Sequence, residues 1–147
     1  MEISLRKALE SDINFLVELR DITMRPHLEK VGMPVTRDEY IKRISYEFDA
    51  AQIIELDGLP VGLFKVVYYE DINQWYIIQI QIHPGYQNLN IGSNLIRSIT
   101  ENALQMGASV GLSVIKTNPA CKLYLRLGFE QVSESEHEFN LVFNLKG

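Results

Sequence analysis

The chain has little cysteine: Cys121 is the single one among 147 residues. One cysteine excludes an internal disulfide and a metal site built on thiolates. The sequence also has no apolar run long enough to span a membrane, and Met1 leads directly into a strand-like pattern without a signal peptide. These absences predict a soluble, cytoplasmic protein with no membrane partner.

Basic residues are also in the minority, with 14 Lys and Arg against 19 Asp and Glu, for a net charge of -5. Phosphate backbones need a basic surface, so nucleic acid is disfavoured as a partner. The acidic balance suits a cationic or amine substrate, although a charge this modest also serves solubility alone. No repeat, low-complexity run or linker divides the chain, which predicts one domain over residues 1–147.

The segment from Trp75 to Ser93 combines a strand, a turn and the start of a helix. Residues 75–82 are β-branched and aromatic, and isoleucines alternate with Gln79 and Gln81, so one face is apolar and the other carries amides. A proline-glycine pair at 84–85 ends the strand, and an amphipathic helix follows. Such a turn directs backbone N–H groups and a helix dipole at one point, which suits an anion. Many such turns bind no ligand, so the pattern alone decides little.

Strand and helix patterns alternate through the rest of the chain, which predicts a mixed sheet flanked by helices on both faces. Arg25-Pro26-His27 is expected to break or bend the first helix, and Thr36 with Glu39 forms a capping box for the second. The predicted strands are 3–7, 51–56, 61–69, 75–82, 110–115, 129–132 and 138–145; the predicted helices are 13–24, 36–48, 93–106 and 119–127.

The turn itself reads Gln87-Asn88-Leu89-Asn90-Ile91-Gly92-Ser93. It is neither a Walker loop nor a G-x-G-x-x-G fingerprint. It resembles the acetyl-CoA pyrophosphate loop of the GNAT family of N-acetyltransferases, whose motif runs Gln/Arg-x-x-Gly-x-Gly/Ala. Asn90 stands where the first glycine normally lies. The replacement is tolerable, because asparagine adopts positive φ more readily than other non-glycine residues.

A second motif lies further along, where Asn118, Tyr124, Gly128 and Phe129 match the spacing of the same family. With two motifs in order, the resemblance covers essentially the whole chain. It implies an α/β (α+β) GNAT fold with a mixed, mostly antiparallel sheet of six to seven strands and about four flanking helices.

The resemblance also implies a function: transfer of acetyl from acetyl-CoA, as co-substrate and without a metal, to a primary amine. The family's central strand separates from its neighbour and pairs with the pantetheine arm. Loop N–H groups hold the pyrophosphate, and Tyr124 is the general acid that protonates the departing thiolate. The implied cofactor-binding residues are Ile80, Ile82, Gln87, Asn88, Leu89, Asn90, Ile91, Gly92, Ser93, Asn118 and Tyr124.

The general base is left open, because the central strand carries no carboxylate where family members often have a glutamate. Gln79 and Gln81 are candidates that order a water chain, or another residue supplies the base, with Glu47, Glu70 and His137 as options. The two glutamines could equally be the polar face of a half-exposed strand. His83 is expected to be structural.

Two further alternatives remain at the level of the whole chain. One is a non-catalytic acyl-CoA-binding sensor, favoured by the missing glutamate and the substitution at Asn90 and disfavoured by Tyr124. The other concerns assembly: family members are often homodimers, and no feature of this sequence decides it. The identity of the amine acceptor is likewise open.

Overall fold

The computed structural model describes residues 2–144, which form seven strands and four α-helices. The strands are β1 (Ile3–Lys7), β2 (Ala51–Leu56), β3 (Leu59–Tyr69), β4 (Gln74–Ile82), β5 (Ser109–Ile115), β6 (Glu130–Glu134) and β7 (Glu138–Phe143). The helices are α1 (Ile13–Lys30), α2 (Arg37–Ser45), α3 (Ile91–Met106) and α4 (Ala120–Arg126). Leu145, which we expected to end the last strand, lies outside the described residues.

The strands form one sheet in the order β1-β2-β3-β4-β5-β7-β6. β4 and β5 run parallel, whereas β1–β2, β2–β3, β5–β7 and β6–β7 pair antiparallel. The prediction of a mixed, mostly antiparallel sheet of six to seven strands with about four helices is therefore confirmed.

The chain divides into two compact units. The first unit holds residues up to 65 together with 79–92, and the second holds residues 66–78 and those from 93 onward. Both β3 and β4 cross the division, at residues 65–66 and 78–79 respectively. That residues 1–147 form a single domain stays a prediction.

In the first unit, apolar residues of α1, α2, β2 and β3 form the buried core, including Leu16, Leu19, Ile44, Ile53 and Leu63. Of the capping box predicted for α2, the bond of the Thr36 cap is present, since the Thr36 hydroxyl accepts a hydrogen bond from the backbone N–H of Glu39 at 3.3 Å. The return bond from the Glu39 side chain stays a prediction. Side-chain contacts that link α1 to α2 include the Tyr40 hydroxyl, which donates to Asp21 at 2.8 Å, and Arg37, which donates to Asn14.

The predicted helix break at Arg25-Pro26-His27 is wrong, because α1 runs through Pro26 to Lys30. Pro26 removes one intrahelical N–H donor, but the turn that follows it is held by Leu28, which is buried. Tertiary burial therefore outweighs the local preference against proline.

Lys65 is a buried residue of β3 that the sequence analysis did not single out. Its ammonium donates to the carbonyl oxygens of Arg43, Ile44 and Tyr46, around the end of α2. Burial lowers the pKa of Lys65 to about 8, so the amine is still protonated at pH 7. A cation at a helix C-terminus satisfies carbonyls that have no intrahelical donor. Lys65 therefore holds the end of α2 to the sheet.

In the second unit, the core consists of apolar residues of β5, β7 and α3, including Val110, Leu112, Leu141, Ile96 and Ala103. α3 ends at Met106, as the predicted range 93–106 has it, and Gly107 follows with φ 67, a conformation typical of a glycine after a helix. The register of β4 with β5 runs from Gln74 opposite Ser109 to Ile77 opposite Leu112. β4 itself continues to Ile82 and β5 to Ile115.

Candidate functional site

The glutamines of β4 lie on its buried face, with Gln79 only 7% and Gln81 only 6% exposed. The isoleucines that alternate with them are half-buried. Ile80 and Ile82 lie toward the start of α3, because a Cβ added at Gly92 would be 3.9 Å from each of them. The interpretation of the amides as the polar face of a half-exposed strand is therefore wrong.

The buried amides lack hydrogen-bond partners. Within residues 2–144, both amide atoms of Gln79 and the Oε1 atom of Gln81 are enclosed and make no hydrogen bond. An unsatisfied buried polar group costs about 1–3 kcal/mol. Native structures keep few such groups, and each needs a reason. A bound water or a substrate group would supply the missing partners.

The turn after β4 is more regular than the loop predicted there, because residues Pro84–Leu89 form a 3-10 helix that includes Asn88 and Leu89. The backbone N–H of Gly85 donates to His83 Nδ1 at 3.1 Å, which caps this helix and gives His83 a structural role. Gln87 Nε2 donates to the carbonyl of Ile82 at 2.9 Å. The Gln87 side chain thus closes the turn back onto the strand.

Asn90 has φ 60 and ψ 22, the left-handed conformation for which its residue type is suited. α3 then begins at Ile91, two residues earlier than the sequence pattern predicted, so Ile91, Gly92 and Ser93 form its first turn. The first N–H groups of a helix have no intrahelical acceptor, and the dipole there is positive. This geometry suits an anionic group.

Gly92 is a glycine that the fold does not require. It is absent from the glycines with positive φ. A Cβ at this position would meet its neighbours at ordinary contact distances. By contrast, a Cβ at Gly62 on β3 would clash with the backbone oxygen of Gln81. The lack of a side chain at Gly92 therefore leaves room for something other than the protein itself.

The second motif lies in the second unit, at the start of α4. Asn118 Oδ1 accepts a hydrogen bond from the N–H of Ala120 at 2.9 Å, and the Asn118 N–H donates to Ile115 at the end of β5. Asn118 thus caps the helix that carries Tyr124, one turn further on. Cys121 on the same helix is a free thiol of intermediate exposure.

Tyr124 is only 8% exposed, and its ring lies 6.2 Å from that of Phe129. Burial, with a smaller contribution from Cys121, raises the pKa of Tyr124 to about 12. The phenol is therefore fully protonated at neutral pH. The hydroxyl therefore carries a proton that it can donate to a leaving group.

The structure places the other candidates for the base at the surface. Glu47 and Glu70 are exposed, and His137 Nε2 lies 3.2 Å from its neighbour Glu136. Within the first unit, the predicted residues Ile80, Ile82, Gln87 and Gly92 do come together. Within the second, Asn118 lies just before α4 and caps it, and Tyr124 lies on that helix.

One polar feature escaped the sequence analysis altogether: a row of hydrogen bonds that links Tyr76, Ser113, Asn140 and Ser133 across strands of the second unit. Single serines and an asparagine in strands give no sequence signal of this kind. In the described part of the chain, no three His, Cys, Asp or Glu side chains are placed to hold a metal. None of the helices described is long and apolar enough to cross a membrane.

Comparison with known proteins shows which protein family and which individual proteins this chain resembles. The model of the acetyltransferase (GNAT) family matches residues 16–129. A thialysine N-epsilon-acetyltransferase of Bos taurus is 30% identical, over 91% of this chain and 88% of its own. An amino-acid acetyltransferase of Shewanella oneidensis is 31% identical over 71% of this chain, which spans only 22% of that relative.

A solved structure has a similar fold. It is the PaiA N-acetyltransferase of Thermoplasma acidophilum in complex with coenzyme A, with a TM-score of 0.73 at 15% identity. The match covers 99% of this chain and 100% of that one. The fold described above is therefore similar to that of this solved acetyltransferase structure.

Proposed function

Because the chain belongs to the GNAT family of acetyltransferases, we propose that it transfers an acetyl group from acetyl-CoA to a primary amine. The observation that carries this proposal is the turn from β4 into α3. There Asn90 has the left-handed conformation at the position of the motif's first glycine. Gly92 lies in the first turn of α3, at a position where the fold itself does not require a glycine.

The turn supplies the phosphate site in this proposal. Backbone N–H groups from Leu89 to Ser93 face the pyrophosphate, while Gln87 keeps the turn closed on Ile82. Main-chain groups at Ile80 and Ile82 pair with the pantetheine arm. The β4–β5 register ends at Ile77, before those residues, which supports this role. Asn118, beyond its capping bond, is proposed as a further contact to the cofactor.

The reaction needs two proton movements. The amine nitrogen loses a proton and attacks the thioester carbon, so that an N–C bond forms and the C–S bond breaks. The departing CoA thiolate then takes a proton. We assign this second proton to Tyr124, which is supported by a phenol kept neutral by burial.

For the first proton movement we propose a water held by Gln79 and Gln81. Both amide atoms of Gln79 and the Oε1 atom of Gln81 lack partners within the described residues, and a water bound between the two amide oxygens would satisfy both. Such a water accepts the amine proton and passes it outward. A carboxylate base is then unnecessary for an amine that is partly deprotonated at the working pH.

The acceptor class is suggested by the relatives. One is named for thialysine and another for amino acids, so small amines of the amino-acid type are the first acceptors to test.

The test is thiol release from acetyl-CoA with L-lysine, L-glutamate, spermidine and a peptide with a free amino terminus, beside a titration of CoA binding. Turnover with any of these amines supports the proposal and identifies the acceptor class. Tight CoA binding without turnover favours the acyl-CoA sensor, a reading that the absence of a strand carboxylate keeps open. No CoA binding at all overturns the assignment of the turn.

A further inference from the structure

We propose that Tyr76 is a further residue of the acceptor site, where its phenol oxygen accepts a hydrogen bond from an N–H of the incoming amine. This inference rests on the acetyl transfer proposed above and adds an acceptor-binding residue to it. All the contacts that carry it lie within the second unit.

The first observation is the direction of the hydrogen bonds. Ser113 Oγ donates to Asn140 Oδ1 at 2.7 Å, and Asn140 Nδ2 donates to Ser133 Oγ at 2.9 Å. Tyr76 Oη lies 2.6 Å from Ser113 Oγ. Since the single proton of Ser113 is directed at Asn140, the proton between Tyr76 and Ser113 comes from Tyr76.

A phenol that donates its proton in this way keeps lone pairs for a donor on its other side. Each hydrogen bond in a row of aligned donors polarises the next. The oxygen that donates the first bond of the row therefore becomes a better acceptor. Tyr76 is the residue at that end, and its side chain is only half-buried. An amine N–H is a donor of the kind that such an oxygen takes.

The second observation is the place of Tyr76 in the sheet. Tyr76 is opposite Gly111, one pair before the last pair of the β4–β5 register, and Ser113 lies just past that last pair. The Tyr76 ring packs closely over Gly111, because a Cβ atom added at Gly111 would lie only 3.1 Å from Tyr76 Cδ2. The phenol is therefore fixed where β4 and β5 stop pairing and where their main-chain groups become available to a ligand.

The third observation is what β4 lacks. Residues Gln74–Ile82 include no aspartate or glutamate, so the strand offers an amine only neutral acceptors. Among them, the Gln74 amide is held by the hydrogen bond that its Nε2 donates to Ser109 Oγ at 3.1 Å, a bond that does not use its acceptor oxygen. Tyr76 is the neutral acceptor whose hydroxyl is oriented by a row of hydrogen bonds. Ser113 and Asn140 are positioning residues, because they act on the amine only through Tyr76.

The test compares Tyr76→Phe with Tyr68→Phe, a matched control in which the hydroxyl removed donates to Asn73 at 2.6 Å. We expect Tyr76→Phe to lower kcat/KM for the best amine of the panel by about tenfold. The KM for acetyl-CoA should not change. Tyr68→Phe should leave both constants within about twofold. A purely structural role of Tyr76 would instead lower the melting temperature of the Tyr76→Phe variant and leave its kcat/KM for the amine unchanged.

Ser113→Ala sharpens the test. In the wild-type background it should raise the KM for the amine, whereas in the Tyr76→Phe background it should have no further effect. A wild-type protein that acetylates no amine overturns the proposed function and this inference together. A wild-type protein that turns over normally, beside a Tyr76→Phe variant with unchanged kcat/KM for the amine, overturns the inference alone.

Discussion

Lys65 and Gln79 are both buried polar residues of the first unit, yet their surroundings differ completely. Lys65 donates to three carbonyl oxygens around the end of α2, whereas neither amide atom of Gln79 meets a partner among the described residues. A buried polar group that is fully bonded helps to hold a fold together. One that is left without partners lowers stability, and it persists where a ligand completes it.

The comparison predicts that the two residues respond in opposite ways to removal of their polar atoms. The partnered lysine should matter to folding, and the unpartnered glutamine should matter to acetyl transfer. Each of the following variants tests one side of that contrast.

Lys65→Met should give the largest loss of stability, about 3 kcal/mol, because three carbonyl oxygens lose their donor inside the protein. Chemical denaturation of the variant measures it. The control is Lys42→Met, since Lys42 is an exposed lysine of α2 whose side chain is 73% accessible. If both variants unfold at the same denaturant concentration, Lys65 does not anchor α2 and the contrast fails.

Tyr124→Phe extends the comparison to the second unit. Phenylalanine keeps the ring that packs near Phe129 but removes the proton donor, so turnover should fall by about a hundredfold. Stability and CoA affinity should stay close to wild type, as measured by denaturation and by titration. Unchanged turnover would contradict the role of Tyr124 as the general acid. The ring-matched control is Tyr86→Phe, on the 3-10 helix after β4.

Gln79→Met should stabilise the protein by about 1 kcal/mol, since it removes two unsatisfied buried atoms at similar volume. The same variant should acetylate its amine about tenfold more slowly, because the proposed water loses one of its two amide partners. Gln131→Met, at an exposed position of β6, controls for the change of residue type. A Gln79→Met protein that is less stable than wild type would show that the amide has a partner after all.

The sequence predicted those parts of the fold and site that depend on local geometry. Asn90 could be expected in the left-handed conformation because of its residue type. The helix cap at Thr36 could be expected because it involves only four consecutive residues. Gln87 stands at the first position of the motif in this turn, and its side chain closes the turn through a hydrogen bond to the Ile82 carbonyl.

Features that depend on distant parts of the chain could not be predicted in this way. The alternation in β4 separates isoleucines from Gln79 and Gln81, but period two does not say which face the rest of the protein covers. Pro26 suggested a helix end, and the burial of Leu28 beyond it decided otherwise. Lys65 stands among apolar residues of β3, a pattern that in retrospect indicates burial.

Gly92→Ala should have the smallest effect on folding and the most specific effect on binding. Alanine favours a helix over glycine, and the added methyl meets Ile80 and Ile82 at 3.9 Å, so stability should rise by about 0.5 kcal/mol. The same methyl occupies the space from which a pyrophosphate would approach the first turn of α3. The Kd for CoA should therefore increase by about tenfold.

Ser98→Ala, at an exposed position of the same helix, should leave the Kd unchanged. A Gly92→Ala protein that binds CoA as tightly as wild type would mean that the phosphates do not approach this glycine. In that case only the buried amide atoms of Gln79, and not the open space at Gly92, would indicate a position where a ligand binds.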